Sequence, residues 1–298
     1  MIAGQIHTLS GLPFALAKGR AFWELLKPRL SFLVAFSCAF GYLLASPVIN
    51  WAVLPMLFLG GFLMSGASIV VNQIIEKDLD KLMTRTQNRP LPTGRLSVNE
   101  AITFCVICLA AGIAILLLFT NVFTTLLSMV SVILYGFVYT PLKRVGPVAV
   151  LVGAIPGALP PLLGWIAATG RISHEAMIIF GIQFIWQFPH FWAIAWVADD
   201  DYKKAGFKLL PSGGQKDLNT AIQIMIYTLF LIPLGLLPAT FGITGINSAI
   251  AVTVCGVLFL AQTFALMRSG DRRSALKIMF GSFLYLPIVQ IAYLLDKI

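Results

Sequence analysis

From about residue 30 to the end, the chain alternates long apolar runs with short breaks that are charged or rich in glycine and proline. A helix needs roughly 20 consecutive apolar residues to cross the hydrocarbon core of a bilayer. On that criterion the runs predict nine helices, over residues 30–47, 51–77, 98–118, 121–141, 148–168, 175–197, 219–240, 244–267 and 275–295. The expected fold is all-α, a polytopic membrane bundle of nine transmembrane helices. The breaks are too short to form a soluble domain, so residues 23–298 read as one intramembrane domain preceded by a tail over residues 1–22.

Composition agrees with that pattern. The chain is 58% hydrophobic and 11% charged, whereas soluble domains carry about 25% charged residues. Cys38, Cys105, Cys108 and Cys255 lie inside apolar runs. The Cys105-x-x-Cys108 pair has no second Cys or His pair to complete a zinc site, so these read as packing thiols. The first twenty residues lack the basic start and compact apolar core of a signal peptide, and they read as an uncleaved cytosolic tail.

Charge gives an orientation. Of the 21 Lys and Arg residues, all but Arg171 and Lys297 fall on one side of the nine-helix map. The positive-inside rule puts that side, with the N-terminus, in the cytosol and the C-terminus outside. The net charge of +9 is thereby explained by topology and by the attraction of anionic head groups or an anionic substrate, and no nucleic-acid partner is needed. Function-bearing residues also repeat. The second run ends in an acidic cluster at Asp80, and the sixth, four spans later, ends in Asp199-Asp200-Asp201. Lys143-Arg144 and Arg272-Arg273 likewise close the fourth and eighth. Two parallel four-helix repeats plus one helix, around a central cavity, are expected, with both acidic clusters at the cytosolic mouth.

The strongest local signal is Val71-Asn-Gln-Ile-Ile-Glu-Lys-Asp-Leu-Asp80. On a helix Asn72, Glu76 and Asp80 fall within an arc of about 80° and climb about 12 Å, one oxygen donor per turn. Asp78 points elsewhere, toward solvent. Oxygen-only donors suit Mg²⁺, which commonly bridges one or two carboxylates to a substrate's phosphates. Carboxylates can simply end a helix at an interface, but Asn72 and Glu76 lie deep enough that polar groups are costly and mark a site. The loop that follows carries Arg85 and Arg89, whose guanidinium groups can grip phosphate bidentately. Lys81 and Arg95 read as topogenic charges. Lys143 and Tyr139 end the fourth run on the same side. The sixth run contains Trp186-Gln-Phe-Pro-His-Phe-Trp192, where His190 either satisfies the carbonyl freed by Pro189 or serves an acceptor substrate. The stretch from Gly153 to Trp165, rich in small residues and proline, permits close helix approach. His7 and His174 have no evident partners.

Taken together, Lys27-Pro28-Arg29, the Asn72/Glu76/Asp80 ladder, Arg85-Thr86, Arg89-Pro90-Leu91-Pro92-Thr93-Gly94, Tyr139-Thr140, Leu142-Lys143-Arg144, Pro160-Pro161, Gly164-Trp165, Trp186-Gln187, Pro189-His190-Phe191, Asp201-Tyr202 and Ala205-Gly206 resemble the UbiA-type intramembrane prenyltransferases, and within them the branch that farnesylates heme. The resemblance covers about residues 23–295. It implies Mg²⁺ held by Asn72, Glu76, Asp80 and Asp201, with Asp199 or Asp200 as a further ligand, Asp200 being the expected one. It implies a diphosphate bound by Arg85, Arg89, Lys143, Tyr139, Asp200, Tyr202, Lys27 and Arg29. Farnesyl diphosphate and heme b are the implied substrates, His190 the implied acceptor-side residue, a bacterial inner membrane the implied location, and a downstream heme A synthase in the biogenesis of heme-copper oxidases the implied partner. Two departures matter. The middle ligand is Glu76 where the superfamily usually has aspartate, and the second acidic cluster is contiguous rather than spaced by four. Prenylation of another aromatic or tetrapyrrole acceptor is the nearest alternative. A secondary transporter, whose acids should lie near the midplane rather than at one mouth, is a more distant one.

Overall fold

In the computed structural model, which describes residues 12–298, helix follows helix without a named strand among the described residues. The elements are α1 (Leu12–Leu25), α2 (Pro28–Ala45), α3 (Val53–Ile75), α4 (Lys77–Asp80), α5 (Val98–Phe119), α6 (Val122–Ile133), α7 (Thr140–Leu142), α8 (Val148–Thr169), α9 (His174–Val197), α10 (Asp199–Lys204), α11 (Leu218–Thr240), α12 (Ile246–Ser269) and α13 (Arg272–Leu295). A π-helical stretch, Leu134–Tyr139, joins α6 to α7. Nine of the described helical segments are long and apolar enough to cross a membrane. Their bounds fall within a few residues of the predicted runs. Helices satisfy every backbone polar group internally, which the hydrocarbon core demands. Polar caps then fix where the spans begin. Ser97 and Glu100 form a reciprocal capping box at the start of α5, and Asn121, Ser173, Asp217 and Asp271 cap α6, α9, α11 and α13.

The packing repeats after four spans. Helix α2 packs on α3, α3 on α5 and α6 on α8; in the same way α8 packs on α9, α9 on α11 and α12 on α13. Two parallel four-helix units, α2–α6 and α8–α12, are therefore joined, with α13 closing the bundle against α9 and α2. The innermost helix is α8, with 78% of its central window buried, whereas α5, at 22%, presents most of its surface outward. The reason lies in the small residues of α8. A methyl group on Gly164 would strike the backbone carbonyl of Cys38, and one on Gly41 that of Pro161, so α2 and α8 meet backbone to backbone. In the half of the bundle away from the acidic ends, a small void of about 10 Å³ lies between α2, α9 and α13, lined by Phe40, Gln183 and Gln290 among others.

The expected tail and the intramembrane domain adjoin within one helix. Helix α1 runs through the 22/23 boundary, and Ala21, Leu25 and Leu26 are buried with Ala67 and Val70 of α3. Lys18 pairs with Glu100 at 2.6 Å and Arg95 with Glu24 at 2.7 Å, tying α1 to the base of α5. Residues 1–11, with His7, lie outside the described residues.

Candidate active site

The ladder survives a bend. Helix α3 ends at Ile75 and Glu76 leaves the helical region, at φ −91° and ψ 5°, before α4 resumes. The spacing nonetheless holds, because the Glu76 N–H donates to the Asn72 carbonyl at 2.9 Å and the Asp80 N–H to that of Glu76 at 2.7 Å. Asn72, Glu76 and Asp80 are all buried, while the side chain of Asp78 is 85% exposed.

Each rung of the ladder has one side-chain polar atom committed and one oxygen left over. Thr140 donates its hydroxyl hydrogen to the Tyr135 carbonyl at 2.9 Å, so its oxygen accepts from Asn72 Nδ2 at 3.0 Å. The amide of Asn72 is thereby oriented, with Oδ1 on the other side. Lys143 donates to Glu76 Oε1 at 2.9 Å and Arg89 to Asp80 Oδ2 at 2.6 Å. Asp80 Oδ1 is buried without a partner among the described residues, a costly arrangement that marks a place for a ligand. The π-helical stretch supplies the geometry for Thr140, whose hydroxyl reaches back five residues to Tyr135. Insertions of this kind recur at functional sites.

Cations outnumber carboxylates here. Besides Arg89 and Lys143, Arg85 and Lys27 stand nearby without a carboxylate partner among the described residues. Burial, then the fields of Arg89, Arg85 and Lys143, bring the Lys27 ammonium from the ordinary lysine value down to a pKa of about 7. Burial also lowers that of Lys143, against the pull of Glu76. Lys27 is the single described non-glycine residue with positive φ, at 46°, a conformation costing about 1–3 kcal/mol. The turn is held from both sides. Gln73 donates to the Leu25 carbonyl at 2.7 Å and Ser31 to that of Leu26 at 2.8 Å, while Pro28 starts α2 immediately afterwards. Arg29 is exposed on the first turn of α2 and no described residue bonds its guanidinium.

The second acidic cluster reaches the same mouth. Asp201 accepts from the backbone N–H of Thr84 at 3.2 Å and of Arg85 at 3.1 Å, and from Lys204 at 2.9 Å. These donors hold its carboxyl down at a pKa of about 2, the Lys204 bond first among them. Tyr202 lies under the Arg85 guanidinium at 5.7 Å. Helix α10 ends in a Schellman turn: Gly206 has φ +72°, its N–H donates to the Lys203 carbonyl at 3.1 Å, and the Phe207 N–H donates to that of Tyr202 at 2.9 Å. Phe207 is thus returned onto Met83, Leu79 and Tyr202, clamping the two connections together.

The fold brings together most, but not all, of the residues expected to act. Asn72, Glu76 and Asp80 each keep an oxygen free, whereas both oxygens of Asp201 are committed to the 84–85 loop. Asp200 is turned out, its side chain 89% exposed and 3.8 Å from Lys216, while Asp199 is buried against Lys203 and Lys216. Among the described residues no three His, Cys, Asp or Glu side chains converge into a metal cage. Two carboxylates and one amide do fit an ion that takes its remaining ligands from a diphosphate and water. Below the mouth an aromatic path descends. Lys143 sits 4.7 Å over the Tyr139 ring, Tyr139 contacts Tyr135 at 5.3 Å and Phe191 at 6.3 Å, and His190 follows. His190 does not fill the gap left by Pro189; its Nδ1 meets Ser282 Oγ at 2.9 Å. Sequence reasoning did not anticipate Ser282 and Thr140 as the partners of His190 and Asn72. Thr140 at least adjoins Tyr139, but nothing in the chain marks Ser282.

Comparison with known proteins gives a consistent set of relatives. The profile of the UbiA prenyltransferase family matches residues 34–286. A protoheme IX farnesyltransferase of Cytophaga hutchinsonii is 51% identical, over 94% of this chain and 98% of that one. That of Flavobacterium psychrophilum is 47% identical over 93% and 94%. The mitochondrial protoheme IX farnesyltransferase of Arabidopsis thaliana is 34% identical, over all of this chain and 69% of its own. Among solved structures, a UbiA homolog from Archaeoglobus fulgidus bound to GPP and Mg²⁺ superposes with a TM-score of 0.64 at 19% identity, covering 92% of this chain and 99% of that one. A digeranylgeranylglyceryl phosphate synthase reaches 0.77 at 21%, covering 94% and 98%.

Proposed function

The chain belongs to the UbiA prenyltransferase family, and from that premise we propose that it transfers the farnesyl group of farnesyl diphosphate to a vinyl group of heme b, releasing diphosphate and forming heme O. The observation that carries this reading is the mouth of the bundle. Four cations, Lys27, Arg85, Arg89 and Lys143, face two buried carboxylates, and the excess of positive charge suits a diphosphate. The protein is an integral membrane enzyme. Its orientation, with the mouth in the cytosol, its place in a bacterial inner membrane, and a role before heme A synthase in supplying heme-copper oxidases belong to the same proposal.

Asn72 Oδ1, the free oxygen of Glu76 and Asp80 Oδ1 would hold Mg²⁺, as the donor set and the unpartnered Asp80 oxygen favour. When bound, the ion neutralises charge on the departing diphosphate. The chain's own residues do the rest. Arg89 and Lys143, each already beside a carboxylate, can turn a further N–H to the diphosphate, and Arg85 closes over it on a loop that Asp201 holds. Preorganised cations at the leaving group lower the barrier to ionisation without reorganising as charge develops. Buried Tyr139 and partly buried Tyr135 keep water from the allylic cation and set π-faces beside it. A vinyl carbon of heme b then attacks C1, the positive charge passes to the vinyl carbon beside the porphyrin ring, and water adds there and releases a proton to solvent to give the hydroxyethylfarnesyl side chain. His190 lies farther along the aromatic path, on the acceptor's side.

The test is product mass spectrometry of purified protein supplied with farnesyl diphosphate, Mg²⁺ and heme b. Heme O is expected, and Asp80→Asn should lower its formation by about 10²-fold or more while the thermal midpoint stays close to that of the parent. No farnesylated heme, alongside a prenylated ring when a hydroxybenzoate or chlorophyll-type acceptor is supplied instead, would assign the other acceptor class. Uptake of substrate into proteoliposomes with no product would assign transport.

A further inference from the structure

His190 is held by one residue of α13 in two ways. Ser282 has a single hydroxyl hydrogen, and its Oγ lies 2.6 Å from the Met279 carbonyl oxygen. A carbonyl oxygen only accepts, so the hydrogen points there and the oxygen presents a lone pair to Nδ1 of His190, 2.9 Å away. Nδ1 must then carry the ring's hydrogen, and a neutral imidazole so protonated has a bare lone pair on Nε2. The main chain of Ser282 adds a second constraint. Its carbonyl accepts from the indole N–H of Trp186 at 3.1 Å, and the Trp186 ring stacks on the imidazole with centroids 4.4 Å apart at 20°. Phe283 and Phe191 meet the ring edge-on at 5.1 and 5.5 Å. The imidazole therefore cannot turn. Among the described residues nothing bonds Nε2, and it is not enclosed with the buried unpartnered atoms.

A neutral imidazole with a bare nitrogen, whose other nitrogen donates to a fixed partner, has the form of a protein ligand to iron, because that partner sets both the tautomer and the direction of the lone pair. The ring stands seven residues before the end of α9, about 10 Å below the acidic mouth, at the end of the aromatic path from Lys143. We propose that Nε2 of His190 is the axial ligand to the iron of the metalloporphyrin acceptor, and that Ser282 is the positioning residue that keeps it available. This rests on heme b being the acceptor. It goes beyond that reading in giving the iron, and not the porphyrin edge alone, a partner in the protein.

Two measurements on the full chain in nanodiscs test it. The first uses no heme. With only three histidines in the chain, ¹⁵N-histidine spectra assign the His190 tautomer by difference from His190→Gln. Nδ1–H is expected in the parent, and Ser282→Ala should abolish that preference. The second is titration with heme b, followed by the Soret band and electron paramagnetic resonance. The parent should show an imidazole-ligated iron. His190→Gln should lose that signature and bind heme b about tenfold or more weaker, while binding of metal-free protoporphyrin is unchanged. Ser282→Ala should weaken the signature without affecting metal-free porphyrin. An Nε2–H tautomer in the parent, a tautomer indifferent to Ser282→Ala, or an imidazole signature that persists in His190→Gln overturns the proposal. If heme b is converted but shows no imidazole signature in the parent, this inference fails and the proposed function stands. If heme b neither binds nor reacts, both fail together.

Discussion

At the scale of single residues, the site is built by fixing hydrogens as well as by pairing buried charges. Thr140 orients Asn72, and Ser282 orients His190, each through a hydroxyl whose one hydrogen is already committed to a carbonyl. Lys27 shows the electrostatic counterpart. Its pKa of about 7 leaves it half-protonated near neutrality, and an arriving diphosphate should restore the full charge. Binding of a non-hydrolysable farnesyl diphosphate analogue should therefore take up protons near pH 7 and weaken as the pH rises beyond it. Lys27→Met should bind more weakly at pH 6 and lose this pH dependence, measured by calorimetry in two buffers of different ionisation enthalpy. A parent profile no steeper than the variant's would refute the assignment. Stability runs the other way. Between pH 7 and the ordinary lysine value of 10.5 the unfolded chain holds a proton that the folded chain lacks, so ligand-free stability rises with pH in that window. The ladder could be read along the chain because its spacing is local, four residues per step. The His190–Ser282 bond could not, because its partners stand 92 residues apart and serine is unremarkable within an apolar run.

At the scale of elements, the two connections on the acidic side act as one unit. Asp201 caps the backbone N–H groups of Thr84 and Arg85, and the Schellman turn at Gly206 returns Phe207 onto Met83 and Leu79. Asp201→Ala should free the 84–85 loop, with amide exchange at those two residues accelerating at least tenfold while amides of α3 keep their protection. Equal exchange in the parent and the variant would show that Phe207 alone holds the loop. Inside the bundle, α8 meets α2 without intervening side chains, so Gly164→Ala must push the helices apart. A loss of about 1–3 kcal/mol is expected, as for overpacking elsewhere, read as a lower midpoint of unfolding in detergent. Span positions were legible because hydropathy and caps are local signals. The break at Glu76, the π-helical stretch and helix α1 were not. The first two preserve composition while changing hydrogen bonding, and α1 owes its order to burial of Ala21 and Leu25 against Ala67 and Val70, some forty-five residues away.

At the scale of the whole molecule, the fourfold shift in packing carries the acidic end of α3 onto the acidic end of α9, so both clusters open at one end of the bundle. That pairing was visible in the sequence, because an even number of spans returns the chain to the same side. Which donors converge was not, since Asp200 and Asp201 differ by one helical step and only packing turns one inward and the other out. The same arithmetic fixes orientation. Helix α8 separates Arg144, beside the mouth, from Arg171, one of two basic residues at the far end, and both are exposed. Single cysteines at these positions report the two faces independently, because Cys38, Cys105 and Cys108 are buried and Cys255 can be replaced by serine. If the basic end faces the cytosol, a membrane-impermeant maleimide added to intact cells should label Arg171→Cys at once and Arg144→Cys only after permeabilisation. The reverse order would place the diphosphate site outside. There it would meet no cytosolic prenyl diphosphate, and the proposed reaction would lose its supply of substrate.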